Sequence, residues 1–408
     1  MSSRAPVVVA LVAGSHVVNH AFLLLLVPAF GPLRAEFGVS LAALGAAVGV
    51  VNAVVTAGQL PLGYVSDSYS HGAVLVGSLA VGSAGAALAA VAPSYGVLVG
   101  AAAVTGAGVA GHHPAHYPLL SAAVSDTYRS RAYSVHGFAG AVGLAVPFAA
   151  VPAAVAAGYG WRAAFGAVAA VGGCYTFVAA VAVRRLPGDL TRAGAETREA
   201  DDRRPRGLFA RLGGYLRSVA GAPLVLLLTA LWFVNSAAAW GVRTYAATAL
   251  DVGYGLETGT ASLVAGAMLA VGAVVLLAGG SLGDRLGPMP LLYAGYGSLV
   301  VLAAAVGSGR LPVVGAVGVV VLLAATIDLS RPARAALTDV ASARGDVGKN
   351  FALMTVGISA GGAVAPPLYG YVIDTASVEG AFLCIAATAG LALGLSVAVA
   401  RTPGETGG

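Results

Sequence analysis

Long apolar runs fill this sequence, and its polar residues collect in the short intervals between them. A helix needs about 20 residues, at 1.5 Å rise each, to cross the hydrocarbon of a bilayer. Twelve runs are long enough: 7–29, 41–64, 72–92, 95–120, 133–156, 163–183, 222–246, 259–281, 288–308, 312–336, 350–372 and 379–400. One long hydrophilic interval, from Arg184 to Arg217, carries nine arginines and five acids and leaves six spans on either side. The pattern predicts an all-α membrane protein with an N-terminal bundle over 1–183, a linker over 184–221 and a C-terminal bundle over 222–408. The linker's end, RGLFARLGGYLRS, reads either as a short amphipathic helix on an anionic leaflet or as solvated loop.

Sliding the second half over the first aligns several features at an offset of 217: Phe37-Gly38 with Tyr254-Gly255, Gly63 and Asp67 with Gly280 and Asp284, and Ala164-Phe165 with Ala381-Phe382. Pro114 falls over Pro332 and Pro147 over Pro366 with a drift of one or two residues. Internal duplication explains this. Two joined six-helix halves suit alternating access, with binding groups near the midplane between halves that rock against each other.

Composition agrees: 58% of residues are hydrophobic and 10% charged, against roughly 25% charged in an average soluble domain. The 58 glycines lie largely inside the spans, where they let helices approach closely in lipid. Basic residues favour the cytoplasmic side. With the N-terminus inside, sixteen of the 22 Lys and Arg fall in cytoplasmic segments, Arg34, Arg162 and Arg310 fall in outer loops, and Arg243, Arg331 and Arg334 fall within spans. Both termini are therefore expected in the cytoplasm, in the cytoplasmic membrane. The net charge of +5 reflects this loop bias, and no basic arm for nucleic acid exists. The first span is too long for a signal-peptide core and is kept as a helix. Cys174 and Cys384 have no paired spacing and read as packing residues.

Two loop motifs stand at matched positions: GYVSDSYSHG at 63–72 and GSLGDRLG at 280–287. Both follow G-x-x-x-D, and with GYGWRAAF at 158–165 they resemble signatures of the major facilitator superfamily, over the whole chain. The resemblance implies a cytoplasmic gate at Gly63, Asp67, Gly280, Asp284, Arg285 and Gly287, the aspartates facing a helix start or an arginine. The first copy departs from the pattern at Ser68, Ser70 and His71. GAGVAGHHPAHYPLLS is similar to a stretch of the fosmidomycin-resistance branch of drug exporters, which implies export. Gly137, Gly140, Gly143 and Pro147 resemble the glycine-proline motif of proton-linked antiporters, and Gly357, Gly361, Gly362, Pro366 and Pro367 repeat it. Ala102 stands where those antiporters carry an arginine.

An ionised side chain at the centre of a spanning helix costs about 2.5–3.5 kcal/mol on insertion scales, so it faces a cavity or a partner by default. By resemblance, spans 1, 4, 7 and 10 line the central cavity, and the costly residues here concentrate in them. His16 and His20 share one face of span 1 with Asn19 beside them, either lining a pathway or packing. In span 4, His112 and His116 share a face and His113 lies about 100° away; Pro114 opens the ladder nearby. His136, in span 5, joins the same cluster or meets headgroups. Asn235 and Arg243 lie in span 7, the arginine free to snorkel outward. Asp328, Arg331 and Arg334 follow at three-residue spacing, so Asp328 can pair with Arg331. Asn52 and Gln59 read as interhelical glue.

The deep inventory is rich in His and Arg and poor in carboxylate, which favours an anionic or polar small molecule, with protons as a coupling partner. A zinc reading of His-x-x-x-His lacks the glutamate and the third acidic ligand it needs, so no metal or other cofactor is expected. The expectation is therefore a monomeric secondary transporter and not an enzyme, exporting its substrate with proton coupling. Import of a carboxylate or phosphonate is the alternative, and a membrane-embedded metal-dependent hydrolase the reading from another class.

Overall fold

In a computed structural model the chain is described at residues 4–192, 223–331, 333–334, 337 and 347–402. The amphipathic stretch at the linker's end lies outside them. Among the described residues eleven helices are long and apolar enough to cross a membrane, and a twelfth apolar helix has 17 residues. The first bundle holds α1 (Ala5–Leu23), the short α2 (Phe30–Phe37), α3 (Leu41–Ser68), α4 (His71–Ala90), α5 (Tyr95–Ala123), α6 (Asp126–Ala156) and α7 (Gly160–Arg185), followed by a single turn, α8 (Gly188–Thr191). The second holds α9 (Pro223–Thr248), α10 (Thr258–Leu286), α11 (Pro288–Gly307), α12 (Val313–Leu329), α13 (Val347–Thr375) and α14 (Val378–Arg401).

The duplication reappears in packing. Within the first bundle α1 packs on α6, α3 on α5 and α4 on α7; the corresponding pairs in the second are α9 on α13, α10 on α12 and α11 on α14. Local detail repeats as well. Gly38 and Gly255 both take left-handed conformations, with φ of 62° and 71°, which glycine adopts without a Cβ penalty. Gly38 N–H bonds Arg34 O and Gly255 N–H bonds Asp251 O, each at 3.0 Å and each at the offset of 217. Phe165 and Phe382 are both fully buried.

The bundles meet through α3 against α13 and α6 against α10, pairs that exchange under the pseudo-two-fold. Small residues permit the approach: a Cβ at Gly45 would collide with the Pro366 carbonyl, and one at Gly49 with that of Ala363. The Asp374 carboxylate, on α13, accepts from the free N–H groups of Leu41 and Ala42 at the start of α3, at 3.1 and 2.7 Å. These are the orphan donors of a helix N-terminus, where negative charge is favoured. Tyr245 donates to Pro366 O at 2.6 Å. All of these ties lie toward the end of the bundles away from the linker. Nearer the linker, α3 leaves Leu60 and Tyr64 more than half exposed.

Two spans differ from the pattern read in the sequence. The first helix stops at Leu23, and a turn and a 3-10 segment at Val27–Ala29 lead into α2, because Pro28 and Pro32 interrupt regular bonding. The run 312–336 is likewise not one continuous helix. It ends at Leu329, turns at Ser330 and resumes at Arg331, since Pro332 has no N–H to give the carbonyl of Asp328.

Candidate functional site

Three helices of the first bundle bring six of the protein's seven histidines together. His16 and His20 come from α1, His112, His113 and His116 from α5, and His136 from α6. The His16 ring stacks on that of His136 at 3.9 Å between centroids, and His136 lies 4.1 Å from His116. His16, His112, His116 and His136 are buried. His136 thus belongs to the cluster and does not face headgroups.

Glycine makes this packing possible. A Cβ at Gly140 would overlap the His16 ring, and one at Gly143 would overlap the Val17 carbonyl. With α6 held against α1, two histidines one turn apart reach two carbonyls one turn apart. His16 Nδ1 lies 2.8 Å from His136 O, and His20 Nδ1 lies 2.9 Å from Gly140 O. A carbonyl only accepts, so both Nδ1 atoms carry protons. The glycine-proline motif in α6 therefore serves here as a seat for histidines.

On α5, His116 Nδ1 donates to His112 O at 2.9 Å, with His112 Nδ1 at 3.1 Å. His112 Nε2 lies 3.0 Å from Ser15 Oγ, whose hydroxyl donates to Val12 O. The buried Nε2 of His116 and Nδ1 of His113 have no hydrogen-bond partner among the described residues. Neither amide atom of the buried Asn19 has one. Buried polar atoms left open in this way point to water or a ligand in the same space.

The second bundle supplies charge. Asp328 on α12 lies 2.8 Å from Arg331 Nη2 and 3.7 Å from Arg243 Nη2 of α9. Both contacts converge on Oδ1, which they approach off the line of a hydrogen bond. The group carries one net positive charge. The Asp328 and Arg243 side chains are 8% and 12% exposed, whereas Arg331 is 39% exposed. Arg243 does not snorkel to an interface, because Asp328 holds it inside. The field of Arg331 reaches His20, His113 and Tyr117 of the first bundle. Tyr117 is 49% exposed although His116, His136 and Tyr133 surround its ring. With Arg331 of the second bundle acting on His20, His113 and Tyr117, the histidines form a wall on the first bundle's side and the arginines one on the second's.

Other candidates sit apart. Arg334 donates to Ser330 Oγ at 2.6 Å and Tyr296 Oη at 3.0 Å, with its guanidinium 4.6 Å over the Trp232 ring. Asn235 is buried, and its Oδ1 has no partner among the described residues. Asp67 is exposed at the end of α3, with its field acting on His71. Ser66, beside it, donates to Pro114 O at 3.1 Å and approaches His71 Nδ1 at 2.8 Å. Gly63 lies against Pro114. Gly280, Asp284 and Arg285 fall on the last turns of α10, and Gly287, with φ of 78°, caps the start of α11; the side chain of Asp284 lies outside the described residues. Cys174 and Cys384 are exposed on outer helix surfaces and are not packing residues. GYGWRAAF forms a tie: Trp161 Nε1 and Arg162 Nη1 donate to Glu36 at 2.9 and 2.7 Å, and Arg162 Nη2 to Ala92 O at 2.8 Å.

One nitrogen each of His16, His112 and His113 lies within 4.8 Å of the others, a spacing that would admit a cation. Both nitrogens of His16 and of His112 are already engaged, however. Ser15, Tyr117 and Asp374 are site or gate residues that sequence reading missed. For Tyr117 a signal existed, since it stands four residues after His113.

The Major Facilitator Superfamily model matches residues 12–333. The chain belongs to the Major Facilitator Superfamily. As a member it is a secondary transporter that works by alternating access, and not an enzyme, which sets the hydrolase reading aside. Among curated proteins none matches the sequence significantly. Solved structures of similar fold include a bacterial homologue of the human lysosomal transporter Spinster, inward-facing and unoccupied, at 15% identity and TM-score 0.79 over 98% of each chain. The nucleoside transporter NupG matches at 10% identity and TM-score 0.77, over 97% of this chain and 99% of its own. A POT family transporter in complex with 5-aminolevulinic acid matches at 10% identity and TM-score 0.74, over 97% and 95%. At these identities the likeness concerns the fold.

Proposed function

We propose that this transporter carries a small organic anion through the space between the two walls, coupled to protons. The observation that supports this is the charge of the two walls. Arg243 and Arg331 share one aspartate, leaving one net positive charge, and they face a wall of histidines with open nitrogens that can donate to or accept from an oxyanion. A cation would meet a guanidinium with no free carboxylate opposite it among the described residues. An imidazole can both take up and release a proton, which supports the coupling. With the linker and both termini in the cytoplasm of the cytoplasmic membrane, the ties through Asp374 and Tyr245 close the outer end, and the conformation is open inward. The protein is proposed to act as a monomer.

Two directions have support. The GHHP stretch resembles drug exporters, which implies export. The site's electrostatics favour the reverse: a bound anion and a proton on an adjacent histidine stabilise each other, so they travel together, and an inward proton gradient then drives uptake. Counterflow in proteoliposomes with carboxylates, phosphonates and cationic drugs, with and without an imposed pH gradient, tests this. Anion counterflow stimulated by the gradient is expected. Exchange of cationic drugs alone would refute the substrate class, and indifference to the gradient would refute the coupling.

A further inference from the structure

The two histidines of α1 hold a contact that neutral imidazoles do not make. His16 Nε2 and His20 Nε2 lie 2.8 Å apart, a normal hydrogen-bond length. Each ring already has its Nδ1 proton committed to a carbonyl of α6, His136 O for His16 and Gly140 O for His20. In the neutral form each Nε2 therefore presents a lone pair, and two lone pairs would face each other. A proton between them turns the contact into an N–H···N bond and gives the pair one positive charge. A second proton is excluded, because it would set two imidazolium rings against each other at the same distance.

The other histidine pair shows the contrast. His112 can donate through Nε2 to Ser15 Oγ and accept at Nδ1 from His116, while His116 Nδ1–H also serves His112 O. That arrangement closes with both rings neutral. Among the described histidine contacts, the one between His16 and His20 is where neutral rings leave a proton short. It also leaves His116 Nε2 as a bare acceptor without a partner, 4.1 Å by ring centroid from His136, which in turn stacks 3.9 Å from His16.

We propose that His16 and His20 form the proton-binding site of this transporter, one proton shared between the two Nε2 atoms. The proposal rests on the proton-coupled reading above and names the atoms that carry it. The groups facing the pair are His112, His113 and His116 from α5, His136 from α6 and Arg331 from the second bundle, while Tyr117 lies beyond His116 and His136 and Tyr175 of α7 donates to Leu11 O. Helix α4 meets α1 through Gly82 against Phe22 and brings no charge there among the described residues. Arg331 is the only permanent cation in this group. An anion bound to it screens its charge from the pair and favours the proton, and release of the anion favours losing the proton to the open side. Substrate and proton are thereby linked through one guanidinium.

Two measurements test this. In histidine-labelled, otherwise unmodified protein in lipid nanodiscs at pH 7, nitrogen NMR is expected to show a scalar coupling between the two Nε2 atoms across the hydrogen bond, absent in His20→Gln. Two neutral rings with no coupling would overturn the proposal, whatever the transport result. In proteoliposomes, His16→Gln and His20→Gln, reconstituted at the parent's level, are expected to lose the stimulation of anion transport by a pH gradient. Gradient stimulation kept within twofold of the parent protein in both variants would overturn it as well. Absence of anion counterflow in the parent protein would instead refute the function proposed above, so the two failures remain distinct.

Discussion

Replacing Asp328 by Asn removes the one negative charge from the arginine wall and keeps the side chain's shape. At an effective dielectric near 20, contacts of 2.8 and 3.7 Å correspond to gross attractions of about 6 and about 4.5 kcal/mol. Arg331 is 39% exposed, so water recovers most of its share. Arg243 is 12% exposed and is left as an uncompensated buried charge, for which the loss is about 3 kcal/mol. At about 2 °C per kcal/mol for a large domain, the melting temperature in detergent should fall by about 6 °C. Anion affinity should move the other way, because the wall gains a full unit of positive charge; a rise of about tenfold, or 1.4 kcal/mol, is expected. Turnover should slow as the anion is held more tightly. Fluorescence-monitored melting and equilibrium binding of the counterflow substrate read both effects, and adding Arg243→Gln should restore most of the lost stability. A single variant that melts within a degree of the parent and binds its anion no more tightly would refute the idea that Asp328 balances the two arginines.

Gly140→Ala drives a methyl group into the His16 ring, an overpacking that costs about 1–3 kcal/mol; gradient-driven transport should fall more steeply than counterflow. Asp374→Ala removes two acceptors from the start of α3, a cap of about 1 kcal/mol. Spin-label distances between the far ends of α3 and α13 should then show roughly a fivefold gain in molecules open at that end. Glu36→Gln breaks an ion pair 39% exposed on both sides, so a stability loss below about 1 kcal/mol and unchanged counterflow are expected.

The spans, their division into two sets of six and the offset of 217 could be read from the sequence because lipid imposes a long apolar period on every crossing helix. The same logic placed His16, His112, Asp328 and Arg331 in costly positions facing a shared space. Partners were another matter. Nothing local to GSHVVNH indicates that its histidines donate to the carbonyls of His136 and Gly140, 120 positions away, since those acceptors are backbone atoms that any residue would supply. Gly140 was visible as a motif glycine, but its use appears only when the His16 ring is packed against it. Arg243 looked free to reach an interface because its counter-charge lies on a different helix. The break after Leu23 was masked by the apolar run Leu24, Leu25, Leu26 and Val27, and the one after Leu329 by the length of apolar sequence before it, although Pro28 and Pro332 marked the places.

The space proposed between the histidine and arginine walls can be probed directly at Tyr117, half exposed beside His116 and His136. In a Cys174→Ser, Cys384→Ser background, Tyr117→Cys should react with a membrane-impermeant thiol reagent applied from the linker side of oriented vesicles. The transported anion should slow that reaction at concentrations that saturate counterflow. Labelling only by lipid-soluble reagents, or a rate the anion leaves unchanged, would contradict a central anion site.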